Sequence, residues 1–199
     1  MSDISAEQVK NLRQKTGAGL MECKRALVET GGDLEQAVTV LRKRGQAAAE
    51  KKAGRTTSEG LIGSYIHGGK IGVLIEVNCE TDFVAKTPQF QELVKDLAMQ
   101  VAASSPRFVR REDVPEEVLA KEREILKSQA ESSGKPPQVI EKIVEGKLGK
   151  FYSETVLLEQ PFIKNADTTI QQHVTSMISV LKENIQVRRF ARFERGEPV

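Results

Sequence analysis

Glu76-Val77-Asn78-Cys79-Glu80-Thr81-Asp82-Phe83-Val84-Ala85-Lys86 is the stretch in which the hydrophobic pattern of the chain changes period. It leaves an apolar segment (Ile71, Val73, Leu74, Ile75, Val77) that reads as a strand. Short polar residues that favour a turn follow. A helix starts a few residues on, at Thr87-Pro88, where a capping residue precedes proline at the first helical position. Phe83 therefore sits at a strand-to-helix junction with an acid before it, and junctions of this kind lie on the surface. A phenylalanine at such a place more often folds back into the core, and the junction permits either outcome.

Working outward, Ser58 to Asn78 reads as a β-hairpin. Leu61–Ile66 and Ile71–Val77 flank His67-Gly68-Gly69-Lys70, a glycine-bearing turn. Both strands are apolar on both faces in their middles: Ile62 and Ile66 oppose Leu61 and Tyr65, and Val73 and Ile75 oppose Leu74. One face can be covered by helices of this chain, and the other must find cover elsewhere. A third strand is expected at Ile185 to Phe193, where apolar and basic residues alternate. Three strands with two apolar faces suggest that two copies pack sheet against sheet as a homodimer.

Upstream, Ser5 to Arg44 reads as three short helices. Ser5-Ala6-Glu7-Gln8 is a cap with a residue three positions on that can reach back. Val9 and Leu12 mark one face before Thr16-Gly17-Ala18-Gly19 breaks the helix. Met21, Ala26, Leu27 and Val28 give a second apolar face, closed by Gly31-Gly32. Asp33 caps a third helix carrying Leu34, Ala37, Val38 and Leu41. Gln46 to Thr57 reads as a linker, in part helical, between two independently moving parts.

Downstream, Phe90, Leu93, Val94, Leu97, Ala98 and Val101 form a helical stripe that ends at Ser104-Ser105-Pro106. Pro115 opens a second helix (Val118, Leu119, Ile125, Leu126) that stops before Ser132-Ser133-Gly134. A third follows Pro136-Pro137 (Val139, Ile140, Ile143, Val144, Leu148, Phe151). An extended stretch begins at Gln160-Pro161-Phe162, and Asp167 to Glu183 reads as one more amphipathic helix. The fold class is thus α+β: residues 1–45 a three-helix module, 46–57 a linker, and 58–199 a core with a three-stranded antiparallel sheet and helices on one face.

The chain has 199 residues, 29% of them charged and 5% aromatic, a balance that points to a helical, surface-rich protein. A formal net charge of +2 gives no case for wholesale nucleic-acid binding. Cys23 and Cys79 lie far apart without metal-ligand spacing and read as two reduced thiols. No run of about 18 apolar residues could span a membrane. Met1-Ser2-Asp3-Ile4 shows neither a signal nor a transit pattern, so a cytoplasmic location is expected. No phosphate-cradling loop, nucleophilic triad or His ligand pair is legible. No cofactor, no metal and no bond-making chemistry are expected.

The junction run resembles a signature of the elongation factor Ts family. A second signature of that family is similar to Thr16-Gly17-Ala18-Gly19-Leu20-Met21-Glu22-Cys23-Lys24. The resemblance implies a guanine-nucleotide exchange factor for elongation factor Tu, the GTPase that carries aminoacyl-tRNA to the ribosome. It implies that the first three helices are a ubiquitin-associated-like module that docks on the GTPase. It implies partner contacts at Thr81, Asp82, Phe83, Val84 and Ala85, at His67 and Gly68 of the hairpin tip, and at Leu20 and Met21. Asp82 and Phe83 would act as a wedge near the GTPase's magnesium and phosphate site.

The tip at His67 and the Phe83 junction are about 26 Å apart along one strand. In longer relatives the hairpin occurs twice within one chain, and the resemblance implies a contact at the second tip histidine. Here a single hairpin would serve both purposes, so one protomer would give Phe83 and its mate His67 to the same partner; otherwise His67 is simply an exposed turn residue. Short relatives that link dimers through a cysteine near the last strand differ from this chain, which has Phe190, Ala191 and Phe193 there. The competing reading is an RNA- or ribosome-binding accessory protein using Arg188-Arg189-Phe190-Ala191-Arg192-Phe193. Alternation of apolar and solvated sides explains that run better.

Overall fold

The computed structural model describes residues 4–132 and 136–198. The expected helix break at Ser133-Gly134 and the start at Met1-Ser2-Asp3 lie outside them. By backbone contacts the chain falls into two compact units. One holds the chain through Gly63 with Glu76–Lys95 and Gln172–Val187; the other holds Ser64–Ile75, Asp96–Gln171 and Arg188 onward.

The first unit begins with α1 (Ala6–Thr16), α2 (Leu20–Glu29) and α3 (Leu34–Glu50). Ser5 closes a capping box: its hydroxyl accepts from Gln8 N–H at 3.2 Å, and its own N–H donates to the Gln8 side chain at 2.9 Å. Asp33 Oδ1 accepts from Gln36 N–H at 2.9 Å and starts α3. Val9, Leu12, Cys23, Ala26, Leu27, Ala37 and Leu41 form the core of these helices. Met21 and Val28, expected on the apolar face of α2, are instead 63% and 61% exposed, and Cys23 takes the inward position. Helix α3 continues five residues past Gly45 into the expected linker, as its alanines favour.

This unit also contains most of α8 (Ile170–Leu181), and small residues let the helices approach it. A Cβ placed on Gly45 would lie 3.7 Å from Ser179 Cβ, and one on Gly17 3.7 Å from Val180 Cγ2. Lys182 Nζ pairs with Glu22 at 2.9 Å.

Strands β1 (Glu59–His67), β2 (Ile71–Cys79) and β5 (Ile185–Glu194) form an antiparallel sheet in the order β1-β2-β5. Gly68 and Gly69 have φ of 55° and 66°, so both centre positions of the hairpin turn are left-handed, as a tight twisted turn requires. Alternate residues of β2 (Val73, Ile75, Val77, Cys79) are buried, while Leu74 is exposed. Ile62 and Ile66 of β1 are also exposed. The apolar second face expected from the sequence is therefore present and open.

In the second unit, α6 (Glu116–Glu131) and α7 (Pro137–Thr155) pack on Leu126, Ala130, Val144 and Leu148. Ile125 and Val139, expected in those stripes, are exposed. A buried amide pair ties this unit together. Gln100 Nε2 donates to Gln160 Oε1 at 3.1 Å, and Gln100 Oε1 accepts from Ile163 N–H at 2.9 Å. Arg111 pairs with Glu159, and its guanidinium lies 4.1 Å from the Tyr152 ring centre. The helix expected from Asp167 starts three residues later. Asn165–Thr169 (β4) pairs with Pro161–Phe162 (β3), and that pairing holds the backbone extended.

Pro88–Ser104 (α5) carries the predicted stripe, with Phe90, Leu93, Val94, Leu97, Ala98 and Val101 all buried. Among the described residues no helix is long and apolar enough to cross a membrane.

Gly60 gives the sharpest local test. Its φ is 149°, and a Cβ there would fall 2.2 Å from Val77 O. Gly60→Ala should cost at least about 2 kcal/mol in denaturant unfolding. Gly54→Ala, which meets nothing within 4 Å, should stay within about 0.5 kcal/mol of the parent.

Candidate functional site

Strand β2 ends at Cys79, and a single helical turn, α4 (Asp82–Ala85), starts after only two residues. The sequence reading placed a turn here and a helix from Pro88; α4 is the additional element. Thr81 is its N-cap, with the hydroxyl accepting from Val84 N–H at 3.4 Å. Ala85 is buried at the foot of the turn and Val84 is half-buried. Phe83 points away from both and is 79% exposed.

Asp82 accepts from Lys86 Nζ at 2.6 Å, an i,i+4 pair across the turn. That hydrogen bond holds the Asp82 carboxyl below the usual carboxylate range and raises Lys86. The result is an uncovered aromatic ring beside an ionised acid on a short, capped turn.

The two link residues are held from a distant part of the chain. Glu183 accepts from Glu80 N–H at 3.1 Å and Thr81 N–H at 3.0 Å through one oxygen, and from the Thr81 hydroxyl at 2.6 Å through the other. Glu80 in turn accepts from Asn184 N–H at 2.6 Å and from Arg55 at 3.4 Å. The Asn184 side chain donates to Arg55 O at 3.0 Å. Sequence reading found neither Glu183 nor Asn184. They lie a hundred residues from Thr81, and an acid at a helix end gives no separate signal.

Cys79, directly before the link, is buried with its thiol donating to Thr81 O at 3.2 Å. Burial, reinforced by the nearby Glu183 and Glu59 charges, pushes this thiol from 9.0 up to about 11.

The other predicted residues lie elsewhere. Leu20 and Met21 are exposed on α2. With Val28 they fall on one outward face by helical spacing. His67 and Gly68 are exposed at the hairpin tip, where the Tyr65 hydroxyl and His67 Nδ1 share a hydrogen bond of 3.1 Å. The sequence pattern marks Tyr65 only as a strand residue. Among the described residues no group of three or more His, Cys, Asp or Glu is placed to hold a metal ion.

The family model described as "Elongation factor TS" matches residues 4–197. The chain is 61% identical over 197 residues to elongation factor Ts of Moorella thermoacetica, covering 98% of this chain and 97% of that protein. It is 58% identical over 197 residues to elongation factor Ts of Caldanaerobacter subterraneus subsp. tengcongensis, with 98% of each covered. Against elongation factor Ts of Carboxydothermus hydrogenoformans it is 59% identical over 195 residues, 98% of this chain and 90% of that one. A mixed α+β chain with an exposed aromatic on a capped turn, matched in this way over nearly its whole length, belongs to the elongation factor Ts family.

The Cys79 thiol supplies a pH test of the local packing. Its folded form keeps its proton to higher pH than the unfolded form does, so stability is present below about pH 9 and falls as pH rises toward 11. Cys79→Ala should flatten that slope in unfolding experiments between pH 8.5 and 11, measured against the parent. An unchanged slope would mean that the thiol is not the group responsible.

Proposed function

We propose that this chain is a guanine-nucleotide exchange factor for elongation factor Tu, and that Phe83 with Asp82 is the wedge that drives release of GDP. The observation that carries the reading is the 79% exposure of Phe83 on a turn anchored at both ends. An exposed ring on a held turn can enter a partner at low conformational cost.

The mechanism follows from differential binding. A ligand with equal affinity for the nucleotide-bound and nucleotide-free GTPase shifts nothing. Coupling is reciprocal, so nucleotide also weakens the factor's hold and expels it. Accelerating release about 10⁴-fold needs roughly 5.5 kcal/mol of differential interaction. Burying one phenylalanine gives roughly 1.5–3 kcal/mol, so further contacts must act with it. Thr81, Val84 and Ala85 hold and flank the wedge, while Leu20 and Met21 on α2 and His67 and Gly68 at the tip give the remaining contacts. Insertion near the magnesium site spoils metal and phosphate contacts that depend on close geometry. The factor makes and breaks no covalent bond in this cycle.

A homodimer completes the reading. Ile66 and Leu74 lie on the open face of the sheet, where a Cβ on Gly72 would come 3.3 Å from Ile66 Cδ1. Sheet-on-sheet packing of two copies would cover this face. One protomer then gives Phe83 and its mate His67 to the same GTPase, in the cytoplasm where translation runs. The RNA reading is weaker, because Arg192 on β5 is already paired with Glu194 at 2.6 Å and Glu197 at 3.1 Å.

Release of labelled GDP from elongation factor Tu tests the wedge. Phe83→Ala should slow stimulated release roughly ten- to hundredfold with the fold intact. A parental rate at equal protein would remove the wedge. Mixing Phe83→Ala with His67→Ala subunits should restore activity above either single-variant dimer, since a mixed dimer keeps one undamaged site. No restoration would show that the site is not shared. Leu74→Glu should shift the sedimenting species from dimer to monomer.

A further inference from the structure

We propose that Glu183 is a positioning residue for exchange, aiming Phe83 through the backbone of Glu80 and Thr81. The inference rests on the wedge reading above and adds a residue that the wedge itself does not contain.

The need for such a residue is structural. Glu80 and Thr81 are the only residues between the end of β2 and the start of α4. Their N–H groups donate to neither the strand ladder nor the helix; both donate to one carboxylate oxygen of Glu183. A one-turn helix cannot keep its own direction, because its few hydrogen bonds do not offset the cost of starting it. Its direction is set at its two ends: Ala85 is buried at one, and Glu183 grips the other. With the second hold removed, the turn can pivot about the two-residue link, and the ring it carries sweeps away from a fixed approach.

The grip is itself fixed. Lys182 takes a left-handed φ of 63°, turning the chain sharply after α8, and its ammonium group is tied to Glu22. Asn184 N–H donates back to the Glu80 carboxylate, so each acid closes on the backbone of the other segment. This reciprocal pair is charge-assisted on both sides, and Arg55 offsets the two neighbouring negative charges. Among the described residues, the hydrogen bonds of the Glu183 carboxylate go to Glu80 and Thr81, the link at the base of the wedge. Its effect on exchange must pass through Thr81 to Phe83.

Stimulated GDP release from elongation factor Tu, measured on the full chain at equal concentrations of folded protein, tests this. Glu183→Ala should slow release roughly tenfold. Glu183→Gln should stay within about threefold of the parent, because its amide oxygen still accepts both N–H groups and its amide N–H can donate to the Thr81 hydroxyl. Introduced into Phe83→Ala, Glu183→Ala should add less than about a twofold loss, since the two act as one unit.

A parental rate for Glu183→Ala beside a crippled Phe83→Ala overturns the positioning role and leaves the wedge standing. So does a full tenfold loss added on top of Phe83→Ala. A parental rate for Phe83→Ala alone sinks the wedge, and this proposal with it. Should Glu183→Ala not fold, Glu183→Asp, which withdraws the carboxylate by one methylene from the Glu80 and Thr81 N–H groups and leaves the Thr81 cap on Val84 in place, takes its place under the same two criteria.

Discussion

The carboxylate of Glu183, closed on two successive backbone N–H groups, solves the problem that the chain sets itself at Cys79. A strand with one buried face must become a helix within two residues, and those residues belong to neither ladder. Buried or half-buried N–H groups left without acceptors are costly. The alternatives are a longer, looser connection or an acceptor brought from elsewhere. This chain brings one from the turn between α8 and β5. The same turn also holds α2 through Lys182 and residues 53–55 through Asn184. Three consecutive side chains thus fasten three separate segments of the first unit.

Against that fixed background the exposure of Phe83 has meaning. A large aromatic ring left in water forfeits the transfer free energy that folding could have captured, roughly 1.5–3 kcal/mol. Ala85, two residues on, is buried, so the chain had an inward direction available and did not use it for the ring. The free energy withheld from folding remains available for binding. It falls short of what efficient exchange demands, which is why the exposed apolar residues of α2 and the hairpin tip enter the account as further contacts. The open sheet face at Ile66 and Leu74 is set apart from these contacts, and the proposed dimer would cover it with a second copy.

Much of the fold is legible in the local sequence pattern. The Ser5 and Asp33 caps, the hairpin with its paired glycines, the α5 stripe and the last strand depend on neighbours a few residues away, and local pattern carries them. Errors arose where tertiary contacts decide. Met21 and Val28 match helical spacing but face outward, because the small Cys23 fits the inner position between close helices. Asp167–Thr169 directly precedes a helix yet belongs to β4, whose Asn165 and Thr169 pair with Phe162 and Pro161. At the site, Asp82 and Phe83 were legible only through a family resemblance, since a junction phenylalanine can turn either way. Glu183 was illegible by any local rule: its partners are a hundred residues away, and only folding brings them together.

The most direct test of the central claim follows the Phe83 ring itself. Hydroxyl-radical footprinting reports side-chain accessibility in solution, and can be applied to the free chain, to its complex with nucleotide-free elongation factor Tu, and to that mixture after addition of excess GDP. The account predicts a reactive Phe83 in the free chain, strong protection in the nucleotide-free complex, and recovery of reactivity when GDP expels the factor. Equal labelling of Phe83 in all three states would contradict it.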